Sequence, residues 1–361
     1  MKSRFVQLTQ KLHSTFGIAQ LDRWEKAINH LELPDPPPVT EHWMELDKRR
    51  LARTYPLEHQ FLQILLARKL TKQIELKKLL DPTVVSFQKG RKVGEIFEHL
   101  TTFLSQYKAK TPKKNWGLHV FRWDISSYSD SIPIQNDAPL WQILKSAGLN
   151  PQEVRLIQNE FQRPDSDRGV PFGSPLNPPI LNLYLSDFDR AILAQFPGTF
   201  YRRFGDDCLL ISPQPLETKA VWDFNLANLG PLGLKIKPEK QKNFIWSQIH
   251  TQRVEYLGRS ISFRGLHFLT RKKVQEFLAD WGQFCRRMEA NPNTHLSQAI
   301  EVFLTPNLRL ENGLTSPKWI EIFEWVDDSS AVLDLSHLIR FRLPKMKKTL
   351  HTYWREARFS R

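Results

Sequence analysis

From Leu57 to Leu80 apolar residues recur at helical spacing (Phe61, Ile64, Leu65, Leu70) with lysines and arginines between them, which predicts a helix. Upstream, residues 1–32 carry a mixed apolar spacing (Phe5, Leu8, Leu12, Phe16) suited to a helix or two. The segment LPDPPPVT (33–40) follows as a linker, because its prolines exclude helix. After Asp81-Pro82 the polar stretch SFQKGRKVGE leads into a second helical pattern reaching Gln106, and KAKTPKK (108–114) reads as a surface connection.

The middle of the chain changes period. HVFRWDI (119–125) is a short apolar-rich run and predicts a strand. ILNLYLSDFDRAIL (180–193) predicts a buried helix, and TFYRRFGDDCLLIS (199–212) predicts two strands joined by a tight Gly-Asp-Asp turn. LGLKIKPEK and VEYLGRSISF add short strands or turns, and beyond Phe263 the pattern becomes mainly helical. Strands mixed with helices in this way predict an α+β fold.

Composition narrows the class. With 361 residues, 40% hydrophobic and 25% charged, the chain reads as a globular protein of two or three units. Its net charge of +14 points to polyanionic partners, nucleic acid first. The tail adds to this: Arg340, Arg342, Lys345, Lys347, Lys348, Arg355, Arg358 and Arg361 are opposed within 340–361 by Glu356 alone. Cys208 and Cys285 are the only cysteines, with no CxxC, which argues against a structural zinc site and fits a reducing compartment. No apolar run is long enough to span a bilayer, and the N-terminus lacks a cleavable leader pattern, so the expected location is the cytoplasm, with no membrane partner.

Two acidic sites stand among apolar neighbours. Asp124 lies at the end of a strand-like run, and Asp206-Asp207 sits at a hairpin tip between Phe204 and Cys208-Leu209-Leu210. A carboxylate beside a core is costly unless it is paired, hydrogen-bonded or bound to a cation. Magnesium suits such a group, since it prefers oxygen ligands and takes one or two carboxylates plus substrate phosphates. Two such ions stabilise the attacking and leaving oxygens of an in-line phosphoryl transfer. Taken singly, Gly-Asp-Asp is also an ordinary turn and a terminal Asp an ordinary cap.

The ordered set of segments carries more. FRWDISSYSDSI (121–132), RGVPFGSPLNPPILNLYLSDFD (168–189), YRRFGDDCLLIS (201–212), LGLKIKPEK (232–240) and VEYLG (254–258) resemble, in order, the palm motifs of the reverse transcriptase family. FQKGRKVGEIFEHL (87–100) resembles the fingers motif of its bacterial and group II intron-type members. The resemblance spans about 50–262 and implies a right-hand polymerase: an N-terminal extension with linker (1–45), fingers (46–118), a palm built on an antiparallel sheet with helices (119–262) and a helical basic thumb (263–361).

The resemblance further implies a division of roles. Asp124, Asp206 and Asp207 are the catalytic carboxylates, and the Ile125 carbonyl joins them as a metal ligand for two Mg2+ ions, with Mn2+ as the alternative. Lys89 and Arg91, with Arg53 as a further candidate, face the triphosphate. Gly173, Ser174 and Pro175 support the template and nascent pair, ahead of a helix that Pro175 would open, with Asn182 further along it. Lys240 assists the leaving pyrophosphate, and Tyr256, Leu257 and Gly258 form the primer grip. The partners implied are an RNA template, a DNA or RNA primer and dNTPs, with oligomerisation left open.

Two positions depart from the family pattern. Phe204-Gly205 replaces the usual Tyr-Ala before the paired aspartates, keeping an aromatic and a small residue. Ser129 stands where the family places a Phe or Tyr that excludes the ribose 2′-hydroxyl, with Tyr128 just before it. Either Tyr128 takes over that role or sugar discrimination is relaxed. About one hundred residues follow the last palm motif, room for a thumb but not for maturase and endonuclease regions. Retron signatures (NAxxH, VTG) and the glutamine-containing loop of diversity-generating retroelements are absent. By exclusion, the expectation is a stand-alone prokaryotic enzyme copying a dedicated non-coding RNA in antiphage defence. The alternatives are template-independent or protein-primed synthesis, with Tyr107, Tyr184 or Tyr353 as primer, and a catalytically idle RNA-binding scaffold.

Overall fold

The computed structural model describes residues 40–270 apart from 46–48, 162–165, 238–240 and 249–251, together with 272–276 and 279. The expected N-terminal helices, most of the expected thumb, Lys240 and Tyr353 lie outside the described residues. In chain order the elements are β1 (Thr40–Glu45), β2 (Arg49–Thr54), α1 (Leu57–Leu76), α2 (Val93–Lys110), β3 (Leu118–Asp124), α3 (Tyr128–Ser131), α4 (Pro139–Ala147), α5 (Pro151–Phe161), α6 (Asn177–Tyr184), α7 (Ser186–Gln195), β4 (Phe200–Phe204), β5 (Asp207–Ser212), α8 (Thr218–Leu229), β6 (Lys242–Trp246), β7 (Val254–Tyr256), β8 (Arg259–Ile261) and β9 (His267–Leu269). No helix among the described residues is long and apolar enough to cross a membrane.

The chain divides into two compact units, one of residues 1–93 and 119–244, the other of 94–118 and 245–361. In the first, β5 runs antiparallel to both β3 and β4, and β6 flanks β3, giving the order β4-β5-β3-β6. Cys208 to Ser212 of β5 are buried without alternation, as expected of a central strand covered on both faces. Leu62, Leu66 and Leu70 of α1 share the core with Trp141 and Leu144 of α4, Phe161 of α5 and Ile180 of α6. Each such fully buried side chain contributes about 1.5–3 kcal/mol. Trp222 of α8 closes the core by meeting Phe121 and Trp123 edge to face, at 6.2 and 5.9 Å between centroids.

Three expected elements differ. Residues 40–45, read as the end of the linker region, form β1, paired antiparallel with β2 from Thr40–Thr54 to Glu45–Arg49. The helix expected over 180–193 is two helices that part at Leu185. Past Phe263, where helix was expected, β9 pairs with β8. A three-residue strand is too short to declare itself by periodicity.

In the second unit α2 buries Gly94, Ile96, Phe97, Leu100 and Leu104 along one face. β7, β8 and β9 form an antiparallel meander. Phe263 is its aromatic hub, with Trp246 at 5.4 Å and Trp116 at 5.9 Å. The Lys108 ammonium lies 4.8 Å from the Phe263 ring centre and donates to the Phe263 carbonyl, and burial lowers its pKa.

Candidate active site

Backbone pairing assembles the three aspartates. β4 and β5 are joined by Gly205 and Asp206 alone, and Gly205 takes the positive φ (+65°) that primed hairpin turns demand. The β3–β5 register sets Asp124 opposite Asp207. The Ile125 N–H donates to the Asp206 carbonyl at 3.1 Å, and Ile125 forms an antiparallel bridge with Ile236. All three carboxylates thereby meet at one end of the sheet, with Asp124 only 4% exposed.

Two cations face them. Lys237 Nζ lies 3.1 Å from Asp124 Oδ1, and Arg122 Nη2 lies 3.2 Å from Asp207 Oδ1. Burial, then the charges of Asp124 and Asp207, raise the Asp206 pKa above the ordinary carboxylate value. Among the described residues no group of three or more His, Cys, Asp or Glu side chains is arranged to hold a metal ion by itself. The chemistry of the donors nonetheless suits a divalent cation of the magnesium type, which takes one or two hard carboxylate oxygens and completes its coordination with substrate phosphates.

Lys237 was missed by sequence reasoning, which singled out Lys240. Its signal was the alternation in LKIK: Ile236 is buried while Lys235 is exposed and Lys237 half-buried, the period of a strand edge. The Lys237 N–H also donates to the Asp124 carbonyl at 3.0 Å, so main chain as well as side chain ties it to Asp124.

The loop before α6 is positioned from beneath. Gly173 is exposed, with φ +92°, and the Arg53 N–H reaches the neighbouring Phe172 carbonyl at 3.4 Å. Ser174, expected to touch template, is buried instead, and its hydroxyl donates to Gln63 Oε1 at 2.9 Å. Gln63 in turn donates to Glu160, whose other oxygen meets His59 Nδ1 at 2.5 Å. α6 begins at Asn177, so Pro175 precedes the helix rather than opening it. What the loop offers outward is the Gly173 backbone and the half-buried Pro175 ring.

Tyr128 is buried, and its hydroxyl donates to the Leu181 carbonyl at 2.5 Å. Burial pushes its pKa well up, and its ring packs in the hydrophobic core. Ser129 is half-buried, its carbonyl accepting from Val170 N–H at 2.8 Å.

A buried polar lattice backs the catalytic hairpin. Arg203 on β4 and Asp189 on α7 are both fully buried and doubly hydrogen-bonded, through Nε at 2.8 Å and Nη2 at 2.7 Å. Arg203 also donates to the Gly205 carbonyl at 3.1 Å and to the Asn182 carbonyl at 3.0 Å, joining the turn to α6. Asn182 is buried and exchanges two bonds with Ser86. Beyond it Lys89 is exposed, while Arg91 donates to the Pro82 carbonyl at 2.9 Å.

In the second unit Tyr256 is buried, and Leu257 and Gly258 form the β7–β8 turn with φ +48° and +79°. Two successive positive φ values are the mark of a type I′ hairpin. The Lys273 side chain lies so close over Gly258 that a Cβ there would meet it at 2.7 Å.

Comparison with known proteins bears on the family and the fold. A family model described as reverse transcriptase (RNA-dependent DNA polymerase) matches residues 53–261, more than half of the chain. No curated protein matches. Among solved structures, apo telomerase from Candida tropicalis, truncated from its C-terminal domain, is 11% identical with a TM-score of 0.51, covering 64% of this chain and 55% of that one. Telomerase from Candida albicans in complex with a TWJ fragment of telomeric RNA is 11% identical with a TM-score of 0.49, covering 67% of this chain and 46% of that one. The chain spans about half the length of these structures. At such identity the first likeness speaks for the fold alone.

Proposed function

The chain belongs to the reverse transcriptase family, and from that premise we propose that it is an RNA-templated DNA polymerase working by two-metal nucleotidyl transfer. The observation that carries the reading is the register that brings Asp124, Asp206 and Asp207 to one end of the sheet. Asp124 and Asp206 would hold the metal, with Asp207 beside them. When bound, divalent ions lower the charge cost at the attacking and leaving oxygens.

The chain's own residues set the stage for that chemistry. The two-residue turn fixes Asp206, Lys237 balances Asp124, and Arg122 orients Asp207. Lys237 would also offset charge on a departing pyrophosphate, the role that the family resemblance assigns to Lys240. Lys89 is a triphosphate contact on the fingers side. The proposed setting is copying of a dedicated non-coding RNA in antiphage defence, within the cytoplasm.

The test is nucleotide incorporation by purified protein with its co-purifying RNA retained, in magnesium with labelled dNTPs. Wild type is expected to incorporate, and Asp206→Ala plus Asp207→Ala to abolish it. RNase pretreatment is expected to stop synthesis. RNase-resistant incorporation would favour untemplated or protein-primed synthesis, and none under any condition would favour an RNA-binding scaffold.

Tyr128 is buried and Ser129 small, so we expect weak sugar discrimination. The ratio of kcat/KM for a dNTP over its ribonucleotide should lie below about a hundredfold, because without an opposing ring a hydroxyl is poorly rejected. Ser129→Phe should raise it. A strong deoxy preference in the wild-type enzyme would remove the idea.

A further inference from the structure

Phe87 combines two features that a merely structural residue avoids. Its backbone is left-handed, at φ +54°, a conformation that glycine or asparagine adopts at far lower cost than a bulky aromatic residue. The residue is 42% exposed, so burial recovers only part of that cost. The ring also stands at the catalytic turn, its centroid 6.1 Å from that of Phe204 and tilted by 40°. A Cβ built on Gly205 would lie 4.0 Å from a Phe87 ring carbon.

The conformation is imposed from both flanks. Val85 N–H donates to the Arg203 carbonyl at 3.1 Å, and Arg203 N–H donates back to the Thr83 carbonyl at 3.2 Å. Ser86 is held by its two bonds with Asn182, and Gln88 Nε2 donates to the Val84 carbonyl at 2.6 Å. Strain that the surroundings over-determine in this way clusters at functional sites.

We infer that Phe87 is a strand-binding residue, whose exposed face packs on the 3′-terminal nucleotide of the primer. This rests on the polymerase reading above, in which Asp124 and Asp206 would hold the metal that meets the attacking 3′-oxygen. A ring bordering Gly205 therefore borders the nucleotide that carries that oxygen. An aromatic face suits the task because it stacks on any base or sugar without reading sequence.

The test measures binding of labelled oligo(dT) annealed to poly(rA) by fluorescence anisotropy, in magnesium without nucleotides, and then the kinetics of dTTP incorporation. Phe87→Leu keeps an apolar contact with Phe204 but loses the flat face, and is expected to weaken primer–template binding about tenfold, with KM for dTTP little changed. Phe87→Tyr should bind like wild type. Phe87→Asn, which suits the left-handed backbone, is the second variant should the leucine one fail to fold, with the same loss expected. Wild-type binding by Phe87→Leu, or an effect on the KM for dTTP alone, overturns the inference while leaving the polymerase reading intact. A wild-type protein that neither binds the duplex nor extends it overturns both.

Discussion

Asp206→Asn is expected to cut nucleotide incorporation about a thousandfold while raising the melting temperature at neutral pH. The loss follows from removing a metal-ligand charge, which costs several kcal/mol of transition-state stabilisation. The gain in stability follows from the raised pKa. Burial, Asp124 and Asp207 all oppose ionisation of Asp206 in the native state. The folded protein therefore holds its proton more tightly than the unfolded chain, and stability falls as pH rises through the ordinary carboxylate range to the raised native value. Above that value the penalty is fully present, and asparagine removes it. Melting curves of wild type and variant should diverge at about pH 7 and converge towards about pH 4, where the unfolded carboxyl also takes up its proton. Magnesium should narrow the difference at neutral pH by stabilising only the wild type. A variant less stable than wild type at neutral pH would contradict this account.

Arg203→Ala or Asp189→Ala should each destabilise the protein by about 3–5 kcal/mol, because either leaves a buried charge without its partner. Asp189 holds the guanidinium charged against the effect of burial. In a protein of this size the melting temperature should fall by roughly 5 °C. The double replacement Arg203→Met plus Asp189→Leu should recover much of that stability, since well-packed apolar residues substitute for buried ion pairs at little cost. It should not recover incorporation, because the carbonyls of Gly205 and Asn182 lose their common donor and the catalytic turn loses its tether. Full activity in the double variant would show that the turn holds itself.

Much of the palm was legible because its signals are local. The Gly-Asp-Asp turn sits between two apolar runs, and a turn residue flanked by strands declares a hairpin. Asp124 and Asp207 then fall opposite each other by register. What was not legible rests on long-range pairing. Asp189 and Arg203 are fourteen positions apart on a helix and a strand, and each reads locally as a surface charge. Gln63 and Ser174 are separated by 111 positions, so no window of sequence contains both. The break at Leu185 is invisible to periodicity, since the residues on either side of it are buried alike. Lys237 was hidden for a different reason: the family pattern drew the eye to the lysine three places on.

The buried chain from His59 through Glu160 and Gln63 to Ser174 makes the loop before α6 a poor candidate for transplantation. Its outward backbone looks like a self-contained part, yet its footing belongs to α1 and α5. A chimera that exchanged the loop alone would inherit a serine without its glutamine, or a glutamate without its donors. Such mismatches are not additive, because every member shares a partner with the next. A change in any one of the three pieces therefore narrows what the other two can accept.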